Sequence, residues 1–140
     1  MRKEETIPLL LSLIAMVSLL CLSCKPAESL KDQGITILSP KANDVVQAGG
    51  SYEILWKAEP PESEFGANVT IEFSKDGGKS WEKVQENVQN TGKYIWTVPN
   101  VEYEKYAFTK KTCKLRVISQ RRPIYRGTSE LFFVKSRISK

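Results

Sequence analysis

The sequence predicts a single all-β domain, a sandwich of two sheets, preceded by an N-terminal signal helix. From residue 35 onward, short runs of alternating apolar and polar residues are separated by Gly, Pro, Asn and Asp, a pattern typical of strands and turns. No stretch of this part keeps a helical period over more than two turns. The chain after the signal segment is about one domain long, which allows one modest core.

Turn-forming residues set the ends of the first four predicted strands. These strands are Ile35–Leu38, Asp44–Gln47, Ser51–Ala58 and Asn68–Ser74. Ser39-Pro40 ends the first strand, and Gly49-Gly50 follows the second. The acidic segment Glu59–Ala67 carries two prolines, which exclude it from a central strand. It is therefore predicted to be a loop between the third and fourth strands.

Four more strands complete a predicted set of eight. They are Ser80–Gln85, Lys93–Val98, Cys113–Ser119 and Thr128–Val134. Pro99-Asn100 closes the sixth strand and leads into a long connection, Val101–Thr112, while Arg121–Arg126 is a turn that holds Pro123. The whole chain then divides into a signal peptide (1–23), a spacer (24–34), the sandwich (35–134) and a frayed basic tail (135–140).

The N-terminus has the composition of an export signal. Arg2 and Lys3 precede an uncharged run of 17 residues, Ile7–Ser23, which stops at Cys24. A charged start, an apolar stretch and a small residue at a cleavage point predict a secretory signal peptide. With a cysteine in the first mature position, the segment resembles a bacterial lipoprotein signal, in which that thiol is acylated. The resemblance implies lipidation of Cys24 and an exported protein anchored by acyl chains in the cell membrane or outer membrane.

Two alternatives to this interpretation remain open. Seventeen apolar residues are close to the roughly 20 that span a bilayer, so an uncleaved signal anchor is the first. The second is modification of Cys21. Lipoprotein signals usually place Leu three residues before the modified cysteine, then two small residues, and here Leu22 is bulky whereas Ser23 fits. Cys21 fits less well than Cys24, because the large Leu20 precedes it.

The tightest local motif is a glycine-rich turn between two strands. Ser74, Asp76, Gly78 and Trp81 stand in the order S-x-D-x-G-x-S-W. An aspartate accepts hydrogen bonds from following amides, and glycine adopts positive φ without steric cost, so the motif predicts a structural hairpin. It resembles the Asp-box of sialidases and related propellers, which is itself a structural turn. A carbohydrate-active protein is therefore only a remote alternative.

A wider resemblance covers Ile35 to Val134. The segments that carry it are Ile37–Pro40, Gly49–Trp56, Val69–Ser74 and Asn87–Pro99, the last containing T-G-K-Y-I-W-T-V-P. They resemble the extracellular immunoglobulin-like family named after Ser/Thr-rich GPI-anchored proteins and the N-terminal domain of yeast β-glucan-synthesis proteins. The resemblance implies a single immunoglobulin-like (fibronectin III-like) two-sheet β-sandwich with Trp56 and Trp96 inside and no catalytic residues. The connection through Tyr103–Thr112 is longer than the family's, which leaves open whether it is a binding loop.

The composition argues against an enzyme. Histidine is absent, which removes the commonest general base and metal ligand and excludes Ser-His-Asp, Cys-His and HExxH sites. No catalytic, cofactor-binding or metal-binding residues are predicted. Of three cysteines, Cys21 leaves with the signal and Cys24 is the anchor, so no disulfide framework exists. Cys113 alternates with Leu115 and Val117, which predicts a buried core residue.

Charge is distributed unevenly along the mature chain. Residues 24–104 hold 8 basic and 13 acidic side chains, whereas residues 105–140 hold 11 basic side chains and one acidic one. Part of this charge is expected to be neutralised where acidic and basic strands lie side by side. The remainder predicts a ligand patch of cations and aromatics: Tyr103, Tyr106, Phe108, Lys110, Lys111, Arg121, Arg122, Tyr125 and Arg126.

These features favour a lipid-anchored envelope or surface module that binds or adheres and performs no catalysis. Cations beside aromatics suit an anionic glycan, lipopolysaccharide or an anionic protein. Nucleic acid is not expected outside the cell. The alternative function is a structural or assembly lipoprotein that holds an envelope complex together.

Overall fold

The computed structural model describes residues 31–59, 66–101 and 109–136. Nine strands form within them: β1 (Ile35–Ser39), β2 (Val45–Gln47), β3 (Ser51–Ala58), β4 (Asn68–Ser74), β5 (Glu82–Gln89), β6 (Lys93–Thr97), β7 (Thr109–Ser119), β8 (Arg126–Thr128) and β9 (Phe132–Lys135). The predicted all-β, two-sheet architecture is confirmed. The signal segment lies outside the described residues, and the described part contains no helix long and apolar enough to cross a membrane.

The strands divide between a small sheet and a large one. The small sheet has the order β1-β3-β6, and the large sheet has the order β2-β9-β7-β4-β5, with β8 also paired to β7. β2 runs parallel to β9, and the other pairs of named strands are antiparallel. Because β1 and β2 are consecutive but belong to different sheets, the chain between them crosses from one layer of the sandwich to the other.

A polar cluster holds this crossing in place. The phenol of Tyr52 on β3 donates a hydrogen bond to Asp44 (3.2 Å) and lies 2.9 Å from the hydroxyl of Ser39. Asp44 also accepts the backbone N–H of Lys41 at 2.8 Å. Burial raises the pKa of Tyr52, so the phenol stays protonated and able to donate at neutral pH.

The core forms where the two sheets face each other. Phe73 of β4 lies with its ring centroid 5.0 Å from that of Trp96 on β6, and 6.4 Å from that of Phe132 on β9. All three side chains are almost completely buried. The Phe73–Trp96 contact joins the large sheet to the small one, and tilted aromatic pairs at such distances add to the free energy gained by burial. The alternation predicted for β3 and β4 thus places Ile54 and Trp56, and Val69, Ile71 and Phe73, inside.

The prediction of one continuous last strand, Thr128–Val134, is wrong, because this part of the chain belongs to two strands, β8 and β9. The chain breaks at Ser129, whose backbone N–H bonds the carbonyl of Leu115 (2.8 Å) while its hydroxyl accepts the N–H of Leu115 (2.9 Å). A hydroxyl thus replaces a backbone carbonyl in the ladder, and the backbone N–H groups of both residues stay paired at the break.

Other boundaries differ from the prediction as well. β5 starts at Glu82 and continues to Gln89, passing Asn87 at positive φ (55°), where a bulge lets the edge strand extend. β7 begins at Thr109, inside the expected connection, and β9 includes Lys135, which was expected in the tail. Each extension pairs with a neighbouring strand, since Lys135 lies opposite both Gln47 and Thr109.

The domain begins before Ile35, so the predicted spacer is too long at its C-terminal end. The carboxylate of Asp32 accepts hydrogen bonds from the backbone N–H and hydroxyl of Thr128 (2.8 and 3.0 Å). Gln33 exchanges two backbone hydrogen bonds with Arg126 (2.9 and 3.0 Å). Residues 32–34 therefore belong to the sandwich.

Gly127 of β8 is where the chain can least accommodate a side chain. A Cβ atom there would lie 2.3 Å from the backbone oxygen of Ile35. We expect Gly127→Ala to reduce the free energy of unfolding by about 3 kcal/mol, because β1 and β8 have to move apart. Gly77→Ala is the control: its Cβ would meet nothing within 4 Å, and only its positive φ is strained.

Urea unfolding of the unit from Lys31 to Lys140 measures both changes, and we expect Gly77→Ala to cost about 1 kcal/mol. Equal losses in the two variants would contradict a role for the contact between Gly127 and Ile35.

Candidate functional site

The β4–β5 hairpin is organised around the carboxylate of Asp76. Its Oδ1 atom accepts hydrogen bonds from the Ser74 hydroxyl (2.8 Å) and from the backbone N–H groups of Lys79 (3.0 Å) and Ser80 (2.9 Å). Its Oδ2 atom accepts the Ser80 hydroxyl at 2.6 Å. These donors, the hydroxyl of Ser80 foremost, hold the pKa of Asp76 well below its ordinary range. The carboxylate is therefore engaged in closing the turn.

The glycine and the tryptophan of the same motif complete the turn. Gly78 donates its backbone N–H to the Ser74 hydroxyl (2.8 Å), and its carbonyl accepts the indole N–H of Trp81 (3.1 Å). Gly78 has φ of 96°, and a Cβ atom there would lie 3.3 Å from the Trp81 ring. The structure thus gives Ser74, Asp76, Gly78 and Trp81 structural roles within the hairpin.

Trp81 also supports an ion pair on the outer face of the large sheet. The guanidinium of Arg116 lies 4.1 Å from the centroid of the Trp81 ring and donates from Nε to Oε2 of Glu72 at 2.9 Å. Glu72 and Arg116 are directly opposite on β4 and β7, and the side chains of both are 20% exposed. Because Arg116 covers one face of the indole, that face is not open for stacking a ligand. The two partners are 44 residues apart, so no local sequence pattern reveals the pair.

The T-G-K-Y-I-W segment fits against Trp56 on the neighbouring strand. The indole N–H of Trp56 donates to the side-chain oxygen of Asn90 at 2.8 Å, inside the core. Gly92, at φ of 83°, accepts the backbone N–H of Trp56, and a Cβ atom on it would lie 2.9 Å from the Trp56 carbonyl oxygen. Four residues after Gly92, on β6, Trp96 is buried against Phe73. Cys113 is buried as well, on the inner side of β7.

A groove opens where the two sheets part between the edges β5 and β6. Its volume is about 310 Å³, and its lining residues are Phe73, Glu82, Lys83, Val84, Tyr94, Ile95, Trp96, Thr97 and Pro99. Ile95 is 60% exposed. The groove was not anticipated from the sequence, because an alternating strand shows which side chains point inward but not where the facing sheets separate. Within the described residues, no group of three or more Cys, Asp or Glu side chains is placed to hold a metal ion.

A family model matches residues 39–114, more than half of the chain, and describes a Kre9/KNH-like N-terminal Ig-like domain. The chain belongs to this family. The predicted resemblance is therefore confirmed, and the matched range contains Trp56, Asn90, Gly92 and Trp96. One similar solved structure is that of fibronectin(III)-like modules of Clostridium thermocellum CbhA, with 15% identity and a TM-score of 0.40 over 76% of this chain and 98% of that one. No curated protein matches the chain.

Strand β7 separates two groups of cations in the predicted ligand patch. Lys110 and Lys111 stand at the start of β7, whereas Arg121 and Arg122 follow its end. A strand of eleven residues keeps the two groups about 30 Å apart. Tyr103, Tyr106 and Phe108 lie outside the described residues, as do the side chains of Lys110 and Lys111. Arg121, Arg122, Tyr125 and Arg126 therefore form a separate group.

This group occupies the connection between β7 and β8, here called the β7–β8 hairpin (residues 119–126). Ser119 accepts the backbone N–H of Arg122 (3.1 Å), and Arg122 accepts that of Tyr125 (2.9 Å), which closes the turn. Tyr125 packs against the core, whereas Arg121, Arg122 and Ile124 are exposed. Arg126 donates from its guanidinium to the carbonyl of Pro123 at 2.7 and 3.1 Å.

Both described ends of the predicted acidic loop lie next to this hairpin. A Cβ atom on Gly66 would be 2.9 Å from Cβ of Arg121, and the backbone N–H of Glu59 donates to Gly34, which is bridged to Arg126. Glu59 itself pairs with Lys57. Residues 60–65 are outside the described part, so the partial neutralisation expected from the charge distribution stays a prediction.

The low pKa of Asp76 predicts an acid-dependent loss of stability. A group whose pKa is lowered by folding stabilises the folded state fully above its unfolded-state value of about 3.9, and this contribution disappears as the pH falls through the folded-state pKa. We expect the difference in free energy of unfolding between wild type and Asp76→Asn to be constant above about pH 5 and to shrink in stronger acid.

Urea unfolding across a pH series measures this difference. Ser80→Ala removes the largest cause of the low pKa, so its acid-dependent loss is expected to be smaller than that of wild type. A difference between wild type and Asp76→Asn that does not change with pH would contradict the role of these hydrogen bonds.

Removal of the guanidinium from the Trp81 ring is expected to destabilise the domain. Arg116→Ala removes both the cation–π contact and the partner of Glu72, and we expect a loss of about 1–2 kcal/mol. Tryptophan emission should shift to longer wavelength as the Trp81 ring becomes wetted. Lys83→Ala is the matched control, because Lys83 pairs with Glu86 in solvent and such pairs contribute less than about 1 kcal/mol. Equal losses in the two variants would contradict the proposed contribution of the stack.

Proposed function

We propose that this protein is a lipid-anchored module of the cell envelope, in which the Ig-like domain binds a partner and performs no catalysis. The observation that carries the proposal is the order of features in the chain. A charged start and a 17-residue apolar run end at Ser23-Cys24, and one Ig-like domain begins eight residues after Cys24, at Asp32. Such an order holds a single β-sandwich close to a membrane.

The contacts of the acidic side chains support binding over catalysis. General acid–base or nucleophilic chemistry requires titratable groups that are directed toward a substrate. Here Asp76 accepts hydrogen bonds within its own turn, and Glu72 is paired with Arg116. Both acids nearest to the motif thus have structural partners.

Within the described residues, two surfaces are available to a partner. The β7–β8 hairpin presents exposed cations, which suit an anionic glycan, lipopolysaccharide or an anionic protein. The groove between β5 and β6 is lined by aromatic side chains beside Glu82, Lys83 and Thr97, and this mixture of apolar and polar groups suits a protein segment. The groove therefore supports the second candidate function, an assembly lipoprotein with a stable protein neighbour.

Crosslinking in intact cells distinguishes these two functions. A crosslinkable residue in place of Ile95 is expected to capture one protein in stoichiometric yield if the module serves assembly. Crosslinking at Arg122 to glycan or lipopolysaccharide, with no protein captured at Ile95, would instead support the first function.

Metabolic labelling with palmitate tests the anchor. We expect label in the wild type and in Cys21→Ala, and none in Cys24→Ala, because only Cys24 becomes the N-terminal residue after cleavage. Release of Cys24→Ala from the membrane fraction, or its retention as an uncleaved and larger form, would follow from the lost processing. Full labelling of Cys24→Ala would contradict the assignment of Cys24. Protease treatment of the same intact cells shows whether the domain is exposed at the cell surface.

A further inference from the structure

The β7–β8 hairpin combines exposed cations with an exposed aliphatic side chain. Ile124 is 52% exposed near the tip of the hairpin, between Arg122 and Arg126. Among the ion pairs formed within the described residues, none involves Arg121, Arg122 or Arg126. We propose that this hairpin contacts anionic phospholipid headgroups of the membrane that holds the Cys24 anchor. The inference rests on the proposed lipid anchoring.

The chemistry of the hairpin fits a charged lipid surface. A guanidinium recognises phosphate oxygens with paired N–H donors, and basic side chains next to an anionic leaflet are attracted to it. An aliphatic side chain between them can enter the boundary between headgroups and acyl chains while the arginines stay at the level of the phosphates. The hairpin itself contains no acidic residue between Ser119 and Gly127.

The length of the intervening chain limits how far this hairpin can lie from the anchor. Gln33 is hydrogen-bonded to Arg126 through two backbone groups, and Asp32 is bonded to Thr128. Nine peptide units separate Cys24 from Gln33, and a fully extended chain of that length spans at most about 32 Å. The lipid therefore holds the hairpin at a high local concentration relative to the membrane surface.

The Asp76 hairpin lies at the other end of β7. The Asp76 hairpin is bonded to β7 at Thr112 (Gly77 N–H to its carbonyl, 2.6 Å), whereas Arg126 pairs with Ile118. Six residues along a strand are about 20 Å. The Asp76 hairpin thus provides a natural control position within the same protein.

The distribution of the cations favours a membrane over a long soluble polyanion. A polymer bound along the sandwich requires a continuous track of unpaired basic side chains, but on β7 between Lys114 and Arg121 the cation is Arg116, which is paired with Glu72 and lies against the Trp81 ring. The compact group of Arg121, Arg122 and Arg126 instead suits a contact with a surface. Ile124 adds apolar area that a polyanion would leave exposed to water. Contact with a membrane also supplies a second attachment beside the acyl chains.

Fluorescence quenching in vesicles tests the contact. The full-length protein, produced with its own N-terminal segment and extracted from membranes, is reconstituted with a fluorophore on Ile124→Cys or, as control, on Lys79→Cys. A quencher on the lipid headgroups reports proximity in vesicles of phosphatidylcholine with or without phosphatidylglycerol. We expect several-fold stronger quenching at position 124 than at 79 in phosphatidylglycerol vesicles only, and its loss in high salt.

Charge variants and flotation separate the possible failures. Each arginine near an anionic surface is worth roughly fivefold in binding, so Arg121→Gln/Arg122→Gln should lower the equilibrium constant for contact more than tenfold. Arg121→Lys/Arg122→Lys should retain most of this contact.

If the protein floats with the vesicles but is quenched equally at both positions, the result overturns the proposed contact and leaves the proposed anchor intact. If the protein does not float with the vesicles, the result overturns the proposed lipid anchor and, with it, the proposed contact of the hairpin. If soluble heparin changes the quenching at position 124 and phosphatidylglycerol does not, the result favours a polyanion as the partner of the hairpin instead.

Discussion

The contact between Phe73 and Trp96 is the constraint on which the rest of this sandwich depends. It is the ring contact that joins the large sheet to the small one, and both residues are almost completely buried. Each ring is positioned by a neighbouring turn. Trp96 stands on the strand that Gly92 brings against the backbone of Trp56, and Phe73 precedes Ser74, whose hydroxyl lies at the centre of the Asp76 hairpin. The turns therefore fix the register of the strands, and the register fixes the aromatic contact.

The same register produces the polar outer face of the large sheet. Because side chains alternate along a strand, the inward position of Phe73 forces Glu72 outward, where Arg116 lies directly opposite. The hairpin then returns Trp81 to cover the guanidinium. A slip of one residue in β4 would bury Glu72 and expose Phe73, so the packing inside and the ion pair outside select the same alignment. The Asp76 turn contributes to both, although it is itself exposed.

Sequence reasoning succeeded where the decisive contacts are local. Alternation in β3 and β4 and the Asp-Gly-Gly turn predicted those elements almost to the residue, because each depends on neighbours in the chain. It failed where distant partners decide: the break at Ser129 depends on Leu115, and the docking of residues 32–34 depends on Arg126 and Thr128. The predicted ligand patch is divided for a geometric reason. Lys111 and Arg121 are close in sequence, but the residues between them form an extended strand, which carries them to opposite ends of the domain.

The residues inside the family match and those of the β7–β8 hairpin have different structural roles. The family match ends at residue 114, and within the matched range Trp56 and Trp96 are buried in the core while Gly92 lies against the backbone of Trp56. Their side chains are not available to a partner. The β7–β8 hairpin follows the matched range, is fixed by its own hydrogen bonds, and leaves Arg121, Arg122 and Ile124 exposed. A change of these three side chains would alter the surface without disturbing the aromatic core, since none of them contributes to it. The family fold thus supplies a rigid support, and the hairpin after the matched range can change its exposed side chains without altering the core.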